Sequence, residues 1–127
     1  MKQRGYTQMQ NKFFKTKIAA FLVWTVLILY FSTRKVGGGG AAGTSNAVFE
    51  HVFAYSVFAL LLFLVLKDSK VNYLYATITL ITFVYGFGVE ALQIILPWRN
   101  FSFFDSMLNL IGGATISILK PVFIFKK

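Results

Sequence analysis

Four apolar runs, each cut off by a short polar or glycine-rich break, set the pattern of this chain. The first, IAAFLVWTVLILYFS, starts at Ile18 and is about 15 residues long. A bilayer span takes roughly 17–25 residues, but a snorkelling Lys17 and a trailing Thr33 extend the run to a helix over about 18–33. The second, from Ala47 to Leu66, has the length expected of a spanning helix. The third predicts a helix over about 72–96, long enough to span with tilt. Pro97 ends it, because proline lacks the backbone N–H and its ring clashes with the preceding turn. The fourth covers about 103–119 and closes at Lys120-Pro121.

The breaks are equally informative. Gly37–Gly40 reads as flexible linker, followed by Thr44, Ser45 and Asn46 as candidate N-caps. Lys67-Asp68-Ser69-Lys70 is a tight polar turn that makes the second and third helices antiparallel neighbours. The prediction is an all-α integral membrane protein, a four-transmembrane-helix bundle over residues 18–127 preceded by a basic tail over 1–17. The first run has a rival reading as a signal peptide, since a basic stretch precedes it and small residues follow. Arg34 and Lys35 behind the apolar core, and three further apolar runs, favour a retained helix.

Composition narrows the class. The 127 residues are 57% hydrophobic and 13% charged, with mean hydropathy +0.66; soluble chains carry roughly 25% charged residues. The absence of cysteine removes disulfides and thiolate chemistry. A net charge of +9 raises the question of nucleic acid, but the cations stand at the ends of apolar runs, as membrane topology requires, and no basic stripe or stacking module appears. No nucleic-acid partner is expected.

In a four-helix bundle the N-terminal tail, the Lys67–Lys70 turn and the C-terminal lysines put ten Lys and Arg on one side, leaving Arg34, Lys35 and Arg99 on the other. The positive-inside rule then makes both termini cytoplasmic. At a rise of roughly 1.5 Å per residue, His51, Glu90 and Asn109 would lie about 6, 9 and 9 Å below the outer boundary. Polar residues from separate helices thus meet at one level. Polar and ionisable groups are expensive in a membrane and mark a functional site by default. The expected result is an outward-facing polar pocket lined by His51, Tyr55, Glu90, Gln93, Arg99, Asp105 and Asn109. Its structural alternative pairs Arg99 with Glu90 or Asp105 and uses Gln93 and Asn109 to cross-link helices.

The spacing E-x-x-Q-x-x-x-P-x-R-x-x-S-x-x-D-x-x-x-N-x-x-G runs from Glu90 through Gln93, Pro97, Arg99, Ser102, Asp105, Asn109 and Gly112. Together with His51-x-x-x-Tyr55 and Tyr85-Gly86, it resembles the VanZ-like family of bacterial membrane proteins. The chain departs from the family in having Ala47-Val48 where an Asp-Lys pair commonly precedes the histidine. The resemblance implies a multi-pass protein of the bacterial cytoplasmic (inner) membrane and an envelope role. The founding member is associated with teicoplanin resistance, so an influence on glycopeptide susceptibility is also implied.

Three functions compete. One is an envelope protein holding a membrane lipid or lipid-linked envelope precursor, with Arg99 as anion contact and Tyr55, Gln93, Ser102 and Asn109 completing the binding set. The second is a membrane-embedded lipid hydrolase or transferase with His51, Glu90 and Asp105 as catalytic residues, His51 being base or nucleophile. The third is a purely structural or transport role. No cofactor fingerprint occurs. No metal is expected either, because one histidine and dispersed carboxylates lack the close ligand spacing of a helical metal motif.

Overall fold

The computed structural model describes residues 2–35 and 45–119. These form four helices, α1 (Lys2–Thr33), α2 (Ser45–Leu66), α3 (Leu74–Gln93) and α4 (Phe103–Ile118), with no strand among the described residues. Arg4–Thr33, Asn46–Leu66 and Leu74–Gln93 are long and apolar enough to cross a membrane. At 16 residues, α4 rises only about 24 Å.

The basic tail is helical and continuous with the first apolar run. With 32 residues, α1 is about 48 Å long, well beyond the roughly 30 Å of a hydrocarbon core. Its interior holds no proline, and local bonds such as Gln10 Nε2 to Tyr6 Oη (3.0 Å) and Thr16 Oγ1 to the Lys12 carbonyl (3.0 Å) support the polar half. Ser45 and Asn46, expected as caps, are the first residues of α2. Thr44, the Gly37–Gly40 linker and the Lys120-Pro121 closure lie outside the described residues.

The third helix stops at Gln93, three residues short of the expected Leu96. Pro97 disfavours helical backbone at the residue before it. The chain therefore tightens into i→i+3 bonds, from the amides of Ile94, Ile95 and Leu96 to the carbonyls of Ala91, Leu92 and Gln93. Ser102 then caps α4, its Oγ accepting from the Asp105 amide at 3.1 Å.

The most extensive interface joins α2 to α4, followed by α3 to α4, while α1 packs on α2 and α3 alone. Glycines permit that closeness. A Cβ on Gly112 would stand 2.8 Å from Tyr55 Cβ and 2.9 Å from the Val52 carbonyl oxygen, and one on Gly113 would meet Thr82 Cβ at 2.9 Å. Gly86 faces Asn109 and Tyr55 in the same way, whereas Gly88 faces open space and plays no part in helix approach. The core comprises Tyr55, Phe58, Ala59, Leu62 and Phe63 of α2, with Ile28, Ile78 and Ile116 from the other three helices.

Hydrogen bonds to carbonyl oxygens join the first helix to its neighbours. Trp24 Nε1 donates to the Ala54 carbonyl (2.9 Å) and Tyr85 Oη to the Thr25 carbonyl (2.6 Å). The last carbonyls of a helix have no intrahelical donor. Here Arg99 Nη2 reaches Phe31 O (3.2 Å) and Arg34 O (3.4 Å), Gln93 Nε2 reaches Ser32 O (3.0 Å), and Trp98 Nε1 reaches Thr33 O (2.9 Å). These bonds hold the C-terminal end of α1 against the end of α3 and the Trp98-Arg99 connection that leads to α4. At the other end of α1's apolar run, Lys17 meets Asp68 at 3.5 Å.

Candidate functional site

Antiparallel neighbours place the first turns of α2 and α4 beside the last turns of α3. Each helix contributes ionisable or amide groups there: His51 from α2, Glu90 from α3, Asp105 and Asn109 from α4. One nitrogen of His51 and one carboxylate oxygen from each of Glu90 and Asp105 all lie within 4.8 Å of one another. His51 Nδ1 stands 2.9 Å from Asn109 Oδ1, and Nε2 stands 3.7 Å from Asp105 Oδ2.

The amide decides how the imidazole is used. With Asn109 Oδ1 accepting, Nδ1 is the protonated nitrogen, and Nε2 is left to face the carboxylates. Asn109 is fully buried, and its Nδ2 is the one buried side-chain nitrogen or oxygen with no hydrogen-bond partner among the described residues. Its position is fixed by the absence of a side chain on Gly86, where an added Cβ would come 2.8 Å from both Asn109 Cβ and Nδ2. Tyr55, one turn after His51, lies parallel to the imidazole (2° between planes, centroids 6.5 Å apart) and continues into Phe58 and Tyr85. This aromatic column backs the site on its inner side.

Glu90 is 1% exposed. Its Oε2 accepts from the Ser102 amide at 3.4 Å, and it forms no ion pair among the described residues. The His51 and Asp105 side chains are 23% and 15% exposed, so the cluster is open on their side. Phe49, Phe53, Phe103 and Phe104, close to His51 and Asp105 in the chain, are exposed, with Phe53 packed edge-on against Trp24 of α1.

Of the candidate residues, His51, Tyr55, Glu90, Asp105 and Asn109 are therefore brought together. Gln93 and Arg99 are not. The expected pairing of Arg99 with Glu90 or Asp105 is absent, because the guanidinium donates instead to main-chain oxygens at the end of α1. Gln93 does the same and forms no interhelical bond to another side chain. Ser102 contributes its amide to Glu90 and its hydroxyl to the α4 cap.

The aromatic column beneath Tyr55 was not drawn from the sequence; for Gly86 and Gly88 the sequence suggests close helix approach, which Gly86 alone provides, but not the seating of Asn109 against it. The signal for both the column and that seating was the Tyr85-Gly86 pair, one turn before Glu90, which carries a bulky ring and then a bare backbone into the site. The spacing argument about metal ligands looked along one helix only, whereas here three helices each bring one ligand-type group to the same place.

Compared with known families, residues 3–124 match the family described as VanZ/LLP1. No curated protein and no solved structure matches the chain.

Proposed function

The chain belongs to the VanZ/LLP1 family, and from that premise we propose that it modifies the polar head group of an envelope lipid or lipid-linked cell-wall precursor. In this reading it lies in the bacterial cytoplasmic membrane with both termini inside, and His51, Glu90 and Asp105 face the exterior. The observation that carries the reading is the convergence of an imidazole and two carboxylates at one end of an apolar bundle, where such groups are costly to keep. His51 is the pivot. With Nδ1 engaged by Asn109, Nε2 is the nitrogen available for chemistry.

A head-group receptor built on Arg99 and Gln93 has less support, because both side chains are already engaged by α1. For these two the structural reading is the better one. If the head group is that of a cell-wall precursor, altered glycopeptide susceptibility follows as a consequence of the chemistry.

The test is turnover by purified protein in vesicles of envelope lipid, with head-group release followed by mass spectrometry. Turnover should disappear in His51→Ala and survive in Arg99→Ala. Turnover undiminished in His51→Ala, or no lipid altered by the wild type, defeats the reading.

A further inference from the structure

We infer that His51, Glu90 and Asp105 together hold one divalent metal ion of the zinc or manganese class. Three groups of ligating type, one from each of three helices, have donor atoms within 4.8 Å of one another. Ligands about 2.1 Å from a common ion stand roughly 3.0–3.5 Å apart around it, so closing the site requires movements of about 1 Å. The remaining positions open towards the partly exposed His51 and Asp105 side, as in catalytic sites, which keep a place for water or substrate.

Two further observations point the same way. The first is charge. Two carboxylates meet where the structural alternative would have set the Arg99 guanidinium, yet Arg99 is committed to Phe31 O and Arg34 O. Glu90, almost fully buried, forms no ion pair within 4 Å among the described residues; His51 and Arg99 act on it only from farther off. A divalent ion neutralises both carboxylates at once, in a medium where unbalanced charge is costly.

The second is the imidazole's orientation. A metal-bound histidine almost always gives its other ring N–H to an oxygen, which fixes the tautomer. Nδ1 meets that condition on Asn109 Oδ1 at 2.9 Å, which leaves Nε2 facing Asp105 Oδ2 at 3.7 Å. The fully buried Asn109 is held by Gly86 on its other side, with Nδ2 unpartnered. This amide is spent on orienting one ring. One nitrogen and two carboxylate oxygens is a mixed set that suits zinc or manganese better than copper(I), which favours sulfur, or calcium, which takes oxygen alone.

The ion's task, receiving an anionic head group and polarising it, rests on the head-group reading above; its binding does not. The experiment uses full-length protein in nanodiscs, freed of its affinity tag, stripped with chelator and titrated with zinc or manganese alone. One ion per chain is expected. His51→Ala, Glu90→Gln and Asp105→Asn should each weaken binding at least tenfold, while Arg99→Gln leaves stoichiometry and affinity as in the wild type. Asp105→Asn is nearly isosteric, and its thermal unfolding beside the wild type separates lost ligation from lost fold. Less than a tenth of an ion per chain in the wild type, or unchanged affinity in the His51→Ala/Glu90→Gln/Asp105→Asn triple variant, overturns the inference. Lipid turnover that persists in stripped protein overturns the ion's task and leaves the head-group reading intact. Metal bound as expected without any lipid turnover overturns the head-group reading and leaves the site.

Discussion

Replacing Gly86 and Gly88 by alanine, one at a time, makes the same chemical change at two positions two residues apart in α3. At Gly86 the added Cβ would lie 2.8 Å from Asn109 Cβ, 2.8 Å from Asn109 Nδ2 and 2.9 Å from Tyr55 Cε1. Carbon atoms rest at about 3.5–4.0 Å, so neighbours must move by more than half an ångström. Those neighbours are Asn109 and Tyr55, 0% and 2% exposed, with little room to yield. Overpacking of this kind costs about 1–3 kcal/mol. At Gly88 nothing lies within 4 Å of the new atom. The backbone advantage of alanine over glycine inside a helix, about 0.5–1 kcal/mol, applies to both variants and cancels between them. Gly86→Ala should therefore be less stable than Gly88→Ala by about 1–3 kcal/mol. Reversible unfolding of the purified variants in mixed micelles of dodecyl maltoside and SDS, followed by tryptophan fluorescence, measures the gap. A difference below about 0.5 kcal/mol would refute the claim that Asn109 of α4 is wedged against Gly86 of α3.

Two other outcomes are expected. Arg99→Ala removes the donor to Phe31 O and Arg34 O, worth about 0.5–1.5 kcal/mol, and should speed amide exchange over residues 31–35 while leaving α2 to α4 protected; unchanged exchange there would show that the guanidinium does not secure this end. Because the sequence contains no cysteine, orientation is accessible to single-cysteine labelling: an impermeant maleimide applied to intact cells should modify Asn100→Cys and spare Asp68→Cys. The opposite pattern would put the His51 cluster on the cytoplasmic side.

The helices were legible because apolar run length and polar breaks are local properties. Two ends were misjudged: α3 was run up to Pro97, although proline constrains the residues before it as well, and α1 was started at the apolar run, although its helix begins in the basic stretch at Lys2. Convergence of His51, Glu90 and Asn109 was also readable, since antiparallel neighbours of known rise put numbered residues at calculable depths. The destinations of Arg99 and Gln93 were not. Their acceptors are carbonyl oxygens at the end of α1, and every residue has a carbonyl, so nothing in the sequence of α1 announces that these particular ones are short of donors. The closeness of the His51, Glu90 and Asp105 donor atoms, within 4.8 Å of one another, was out of reach for a related reason, because proximity across three helices leaves no trace in spacing along one.

The attachment of α1 has a consequence for how the protein tolerates change. Gln93, Trp98 and Arg99 grip atoms that Phe31, Ser32, Thr33 and Arg34 share with all other amino acids. The latch therefore constrains the hand and leaves the handle free: residues 31–34 can be exchanged for others that stay helical, with little effect on docking, whereas the three donors cannot.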